Sequence, residues 1–267
     1  MIQNAEDNKF TKTIHAPGIS FEILPGKIIV ECNEDGFDAQ NVESICRTGR
    51  SSKTSNRGYI GEKGIGFKSV FQVASKVHIQ SNTFSFSFQY AGGTTSKEKL
   101  GIVTPIPEDD ILPIGRRPLT RMTLTPIQNL SYDELVKEFR EIPDDLLLFL
   151  STLKEIRITI HDSGGSSSIT TFRKFEDLEA KVVKLVKTVE YLDDPNQKVV
   201  LKSLYRIAKR EILNLPADNA RTDIHECEVV LAFPVDPDDD SKPLISRQQV
   251  FAFLPIRDFG FNVSSTG

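Results

Sequence analysis

Cysteine is scarce. The 267 residues hold three, Cys32, Cys46 and Cys227, an odd number with no short paired spacing, which excludes a disulfide framework and offers no zinc pattern. A reducing intracellular compartment is the expectation that fits. Long apolar runs are absent too. No stretch approaches the roughly 18 uncharged apolar residues of a membrane-spanning helix, and the opening MIQNAEDNKF lacks the apolar core of an export signal. The expectation is a protein neither exported nor embedded. Positive charge is not in excess: 33 Lys and Arg against 37 Asp and Glu give a formal charge of −4. That excludes binding to nucleic acid or an anionic membrane by bulk electrostatics, while leaving room for a local basic pocket. His15, His78, His161 and His225 are scattered, without Cys or carboxylate at ligand spacing, so no metal cluster and no Ser/His/Asp set is indicated. PVDPDDDSKP (234–243) has the charge of a calcium loop but not its central Gly or terminal Glu, and it reads as a solvated hairpin turn. There is no internal repeat.

The remaining composition, 39% hydrophobic, 26% charged and 8% aromatic, is that of an ordinary folded chain, long enough for two domains and for a core without staples. Met1–Asp7 reads as a helix already under way with no N-cap before it, and the chain stops at SSTG soon after the apolar run QQVFAFLPIRDFGFNV. The expectation is a fragment with elements missing upstream. Strands are predicted at 20–24 and 27–32 around a Pro25-Gly26 turn. A short helix follows at 39–47, where Val42, Ile45 and Cys46 share a face. Residues 47–63, dense in Ser, Gly, Arg and Lys, read as a loop. A helical pattern then runs from Phe67 through Val70, Phe71 and Ala74 into a strand VHIQS. TFSFSFQY (83–90) alternates strictly, a core-facing aromatic stripe far more readily than a base-stacking platform. A strand at 121–127, helices over 131–142 and 144–153, and a strand EIRITI complete a first domain. The small, flexible DSGGSSS (162–168) reads as the boundary to a second, mainly β unit with some ambiguous helix.

The strongest motif is Gly61-Glu62-Lys63-Gly64-Ile65-Gly66-Phe67, opening a predicted helix. Glycines let backbone amides approach a ligand closely, and a helix N-terminus offers unpaired donors and partial positive charge, so together they suit phosphate. By itself the cluster fits a structural turn equally well. It is neither a GxxxxGK[ST] run nor a dinucleotide fingerprint in a βαβ setting.

Three further elements, QNAED, NEDGF and LTRMTL, stand with it in a recognisable order. The set resembles the GHKL ATPases, the Bergerat-fold group of gyrase, heat-shock chaperones, histidine kinases and MutL. Within that group IQNAED, NEDGF, RSSK, GYIGEKGIGFKSVF and LLLFLSTLKEI are most similar to the sacsin and NO VEIN-like histidine kinase-like ATPases. The resemblance covers residues 1–160 well and the rest thinly.

What the resemblance implies can be placed position by position. Asn4 matches the asparagine whose side-chain carbonyl ligates Mg²⁺, and an amide oxygen suits a hard cation that keeps several waters. Asp7, on the same helical face, matches a position near the sugar and base, though alone it would read as a solvated helix charge. NEDGF, with Gly36, takes the place of the family's DxGxG. There Asn33, Glu34 and Asp35 are all candidates for the adenine amino group, with Glu34 the choice. Thr120 matches the strand threonine that helps fix adenine. Gly61, Gly64, Ile65, Gly66 and Phe67 would border the phosphates, Lys68 would either reach a terminal phosphate or sit on the helix surface, and residues 47–63 correspond to the ATP lid. The family's catalytic glutamate falls before Met1. Glu6 lies about 200° round the helix from Asn4 and does not replace it.

The expected fold class is therefore α+β: a GHKL α/β sandwich, N-terminally truncated, over 1–160, a linker at 161–168, and a partial β-rich domain at 169–267. The expected function is an ATP- and Mg-binding module, chaperone-like or regulatory, with impaired hydrolysis. Its partners would be ATP or ADP, the remainder of a larger parent protein and protein clients, and not nucleic acid or membrane. The alternative is a degenerate scaffold or interaction fragment that binds no nucleotide.

Overall fold

The computed structural model describes residues 1–46, 67–89, 105–111, 120–162, 164–213, 226–245, 247–252 and 254–262. The chain forms two compact units. One comprises Met1–Ile142, Ser151–Thr171 and Thr188–Val199; the other comprises Pro143–Leu150, Phe172–Lys187 and Val200–Gly267.

The first unit begins with α1 (Ile2–Glu6), β1 (Gly18–Leu24), β2 (Lys27–Cys32) and α2 (Ala39–Cys46). A 3₁₀ segment (Phe67–Gln72), β3 (Ala74–Ser81), β4 (Phe84–Gln89), β5 (Ile106–Pro107), β6 (Thr120–Pro126), α3 (Tyr132–Arg140), β7 (Glu155–His161) and β8 (Ser167–Asp177) follow. β1 and β2 form a hairpin because Gly26 adopts φ +76, open to glycine at no steric cost. Within the unit the strand order is β7-β1-β2-β6-β3-β4-β5, parallel between β1 and β7 and antiparallel elsewhere. A mixed sheet with few helices makes this an α+β fold.

Alternation decides which face is covered. Ile19, Phe21 and Ile23 of β1 and Ile28, Val30 and Cys32 of β2 are buried on one side. α1 and α3 lie on that side, with the Phe21 and Phe139 rings 5.4 Å apart. α3 starts where Ser131 accepts from the Glu134 amide, carries Asp133 and Glu134 in its first turn and Arg140 in its last, and buries Leu135 and Val136. The opposite face is polar: Ser20, Glu31, Arg121 and Gln80 fall in one cross-strand row, in which Arg121 and Glu31 pair at 2.5 Å.

Two sequence expectations need correction. The helix predicted from Phe67 is a 3₁₀ segment, and the strand after it starts at Ala74 rather than at Val77. The helix predicted over 144–153 is a run of tight turns, closed by bonds from Leu146 to Pro143, Leu148 to Asp145 and Leu150 to Leu147. Leu146, Leu147, Leu148 and Leu150 are all buried, so no single apolar stripe exists for a helix to present. Between the neighbouring strands β7 and β8 the chain turns through Asp162 and Gly164–Ser166, held by Asp162 to Ser166 and Gly165 to Asp162 bonds.

β8, β9 (Val182–Tyr191) and β10 (Asp194–Leu213) contribute residues to both units. In the second unit β10 pairs antiparallel with β11 (Glu226–Val235), and β12 (Arg247–Ala252) pairs with β13 (Leu254–Asn262). The described residues after Arg140 form strands and turns, with no helix. The acidic run 234–243 is a closed turn in which Asp236 and Lys242 bond at 2.9 Å. Buried Lys174 donates to the Leu150 carbonyl and pairs with Glu176 at 2.9 Å.

Candidate functional site

A cavity of about 310 Å³ opens on the helix-covered face of the first unit. Its wall is mostly apolar, contributed by β1, β2 and β6 and by Leu135 and Phe139 of α3. Its polar lining comes from five places in the chain: Asn4 of α1 with Asn8 just after it, Glu34 just after β2, Ser69 of the 3₁₀ segment, Thr120 at the start of β6, and Glu138 of α3. Alternation explains Thr120: it lies two and four residues before Met122 and Leu124, which point the same way.

Glu34 is the centre of the arrangement. Only 5% of it is exposed, and Thr120 and Ser81 beside it are 3% and 0% exposed. Burying a carboxylate is costly unless donors surround it. The Thr120 hydroxyl donates to Oε1, and the Gly36 amide donates to Oε2 at 3.1 Å. Ser81 Oγ lies 2.6 Å from Thr120 Oγ1 and accepts from the Phe37 amide at 2.8 Å. The register builds this row, for Cys32, Thr120 and Ser81 are cross-strand partners on β2, β6 and β3. Desolvation raises the Glu34 carboxyl above the ordinary range, opposed by the bonds from Thr120 and Gly36. Burial, with the charge of Glu34 second, pushes the Cys32 thiol up to about 12.

The three acidic or amide candidates of the NEDGF turn separate cleanly. Asn33 accepts from the Gly18 amide at 2.8 Å and donates to the Ala16 carbonyl at 2.8 Å, tying down the chain before β1. Asp35 accepts from Thr11 Oγ1 at 2.7 Å and the Lys12 amide at 2.8 Å; these bonds outweigh its desolvation and hold it below the usual carboxylate range. Glu34 alone of the three lines the cavity. Gly36 adopts φ +83, and a Cβ there would lie 2.3 Å from Asn82 Nδ2. Asn82 in turn donates to the Phe37 carbonyl at 2.9 Å, so the turn is clamped against the β3–β4 hairpin.

Asn4, Glu34, Phe67 and Thr120 thus meet at one cavity, and among the described residues the Asn4 side chain has no hydrogen-bond partner. Asp7 is half-buried as the C-cap of α1 and is not in the lining, whereas Asn8 is. Gly36 contributes its amide rather than a wall. Gly61, Gly64, Ile65, Gly66 and the 47–63 loop lie outside the described residues, and Lys68 falls in the 3₁₀ segment. Glu6 is turned to other work. It is 5% exposed and accepts from the amides of Ser151, Thr152 and Leu153 at 2.6, 2.8 and 2.9 Å and from Ser151 Oγ at 2.9 Å, fixing α1 to that segment. Ser81, Asn8 and Glu138 escaped the sequence reading. Ser81 was legible only as part of a strand, and Asn8 only as one helical turn after Asn4.

A second hollow, of about 380 Å³, lies over the polar face and is bordered by His15, Ser20, Glu31, Asn33 and Arg157. Its Glu31 is paired with Arg121 and its Asn33 is a tether. Among the described residues no group of three or more His, Cys, Asp and Glu is arranged to hold a metal ion.

No family model matches the chain. It is similar to Protein NO VEIN of Arabidopsis thaliana, 29% identical over 280 aligned residues that take in 97% of this chain. The chain spans 9% of that relative's length. Among solved structures, the B-subunit of the DNA gyrase from Myxococcus xanthus aligns over 66% of this chain and 56% of its own, at 12% identity and a TM-score of 0.34. That score does not establish a shared fold. No helix among the described residues is long and apolar enough to cross a membrane.

Proposed function

We propose that the first unit is a nucleotide-binding module of the GHKL type, taking ATP or ADP with Mg²⁺ in the cavity beneath α1 and α3, within a larger protein of the NO VEIN or sacsin-like kind with a regulatory or chaperone-like role. One observation carries this reading: a buried carboxylate, Glu34, held by Thr120 and Gly36 in a mostly apolar cavity. Such a site suits a flat, largely apolar ligand with one donor edge, and its volume of about 310 Å³ lies at the lower end of the roughly 300–1,000 Å³ typical of small-molecule pockets. Glu34 and Thr120 would receive the adenine amino group, while Ile28, Val30, Met122 and Leu124 exclude water from the ring. Asn4 fits a cation that keeps most of its waters and takes phosphate oxygens as further ligands, so one protein amide suffices. Magnesium, when bound, neutralises charge on the phosphates. The glycine loop 61–66 and Lys68 would border those phosphates, the 47–63 loop would be the lid, and Asp7 would act beside the sugar only if α1 turns. The module is proposed to span 1–160, with 161–168 linking it to a β-rich domain over 169–267.

Slow hydrolysis belongs to the same proposal. Glu6 is saturated by four protein donors and Asp7 is outside the lining, so neither carboxylate of α1 is free to polarise water at the cavity. Calorimetric titration of the folded chain with ATP, with and without Mg²⁺, tests the reading. Saturable, magnesium-dependent heat is expected, and Gly66→Val should weaken it by obstructing backbone approach. No heat at roughly millimolar nucleotide, with the fold confirmed by circular dichroism, would leave the scaffold reading in its place.

A further inference from the structure

We propose that Ser81 is a positioning residue that fixes Glu34 Oε1 as a hydrogen-bond acceptor and so restricts the cavity to bases that present an N–H donor edge; this rests on the nucleotide reading above. Proton polarity is set along a row of four groups, from the Phe37 amide through Ser81 and Thr120 to Glu34. The Phe37 amide can only donate, and it donates to Ser81 Oγ at 2.8 Å. Ser81 thereby keeps its own hydrogen for Thr120 Oγ1, 2.6 Å away and the other partner of that hydroxyl. Thr120, receiving that bond, has its single hydrogen directed at Glu34 Oε1. The Gly36 amide covers Oε2. Every hydrogen in the row points toward the carboxylate.

The reverse polarity fails at Ser81. If Glu34 donated through Oε1 to Thr120, and Thr120 to Ser81, Ser81 Oγ would accept from both Thr120 and the Phe37 amide, and its own hydrogen would have no acceptor among the described residues. Ser81 is 0% exposed, so that hydrogen would be buried away from bulk solvent and unmade, which is costly. Burial favours a neutral Glu34, whereas the row favours an accepting one; the amide at its far end breaks the tie. Ser81 touches no ligand, as it is absent from the cavity lining. It acts through Thr120. Its backbone position is secured by the cross-strand pairing with Thr120 and by Asn82, the next residue, which clamps the same 35–37 turn. A site built to accept a hydrogen bond rejects an analogue that lacks the donor, because the buried acceptor is then left unmade.

The test compares ADP with purine riboside 5′-diphosphate, which lacks only the 6-amino group, by equilibrium titration in the presence of Mg²⁺. The wild-type chain should prefer ADP by at least about tenfold, a selectivity equivalent to one hydrogen bond. In Ser81→Ala the preference should fall below about threefold, with most of the loss on the ADP side, and Ser81→Thr, which keeps the hydroxyl, should restore it. A merely structural role would weaken both ligands alike and leave the ratio unchanged, which would overturn the proposal. Should Ser81→Ala not fold, Ser81→Cys, a weak donor, carries the same comparison. Equal affinity of the wild-type chain for the two ligands overturns the Ser81 assignment while the nucleotide reading stands. Binding of neither overturns both.

Discussion

Gly36→Ala probes the turn that presents Glu34. The substitution places a methyl 2.3 Å from Asn82 Nδ2 and 2.5 Å from its Cγ and Oδ1, at a backbone φ of +83. Holding alanine in a left-handed conformation costs roughly 1–2 kcal/mol. Clearing the methyl requires Asn82 to swing away and give up its 2.9 Å bond to the Phe37 carbonyl, a further loss of about 1 kcal/mol. The sum, roughly 2–3 kcal/mol, corresponds to a fall in Tm of about 4–12 °C for a unit of this size. Thermal and urea unfolding of the purified chain read it directly. A double-mutant cycle separates the two parts: on an Asn82→Gly background the clash is gone, and Gly36→Ala should cost only the backbone share of roughly 1–2 kcal/mol. A Gly36→Ala stability within about 0.5 kcal/mol of wild type, or no coupling in the cycle, would refute the clamp.

Other consequences follow from the same contacts. Glu6→Ala strands three backbone donors at Ser151, Thr152 and Leu153; a loss of about 3–5 kcal/mol is expected in urea unfolding, and Glu6→Gln should recover part of it. Because Glu34 is raised, the folded chain holds its proton more tightly than the unfolded one, so stability should fall as pH rises from the ordinary carboxylate range toward the raised value. Glu34→Gln should flatten that dependence in Tm measurements across the window, and an unchanged slope would assign it elsewhere. The Cys32 thiol, buried and near 12, should resist maleimide at pH 8 by about a thousandfold relative to the unfolded chain, as mapped by mass spectrometry. Arg140→Ala removes an exposed pair in which Nη2 reaches both Asp162 carboxylate oxygens and should cost no more than about 1 kcal/mol, less in high salt.

Much of the first unit was legible because its signals are local. Pro25-Gly26 between two apolar alternations is sufficient for the β1–β2 hairpin, and Ser131 ahead of two acidic residues is sufficient for the start of α3. The run LLLFL at 146–150 misleads, since five adjacent apolar residues carry no period, and burial on all sides selects turns that a helix stripe would not need. The resemblance alone favours Glu34 over Asn33 and Asp35, and tertiary contacts supply the physical difference: the other two side chains are consumed by residues 16–18 and 11–12. Asp7 and Asn8 both lie beyond α1, which ends at Glu6, so a helical face extended from Asn4 does not decide which of them lines the cavity; Asn8 does. The role of Glu6 was invisible for the same kind of reason, since its partners lie more than 140 positions away and are backbone amides that no side-chain pattern marks.

The central claim is that a nucleotide base occupies the cavity against Glu34 and Thr120, and photoaffinity labelling with 2-azido-ATP in the presence of Mg²⁺, followed by peptide mapping, tests it most directly. The account expects saturable labelling, competed by ATP, on peptides that contain cavity-lining residues of β1, β2, β6 or α3, and its loss in Glu34→Ala that remains folded. Competed labelling confined to peptides outside that lining, or labelling undiminished in Glu34→Ala, would contradict it.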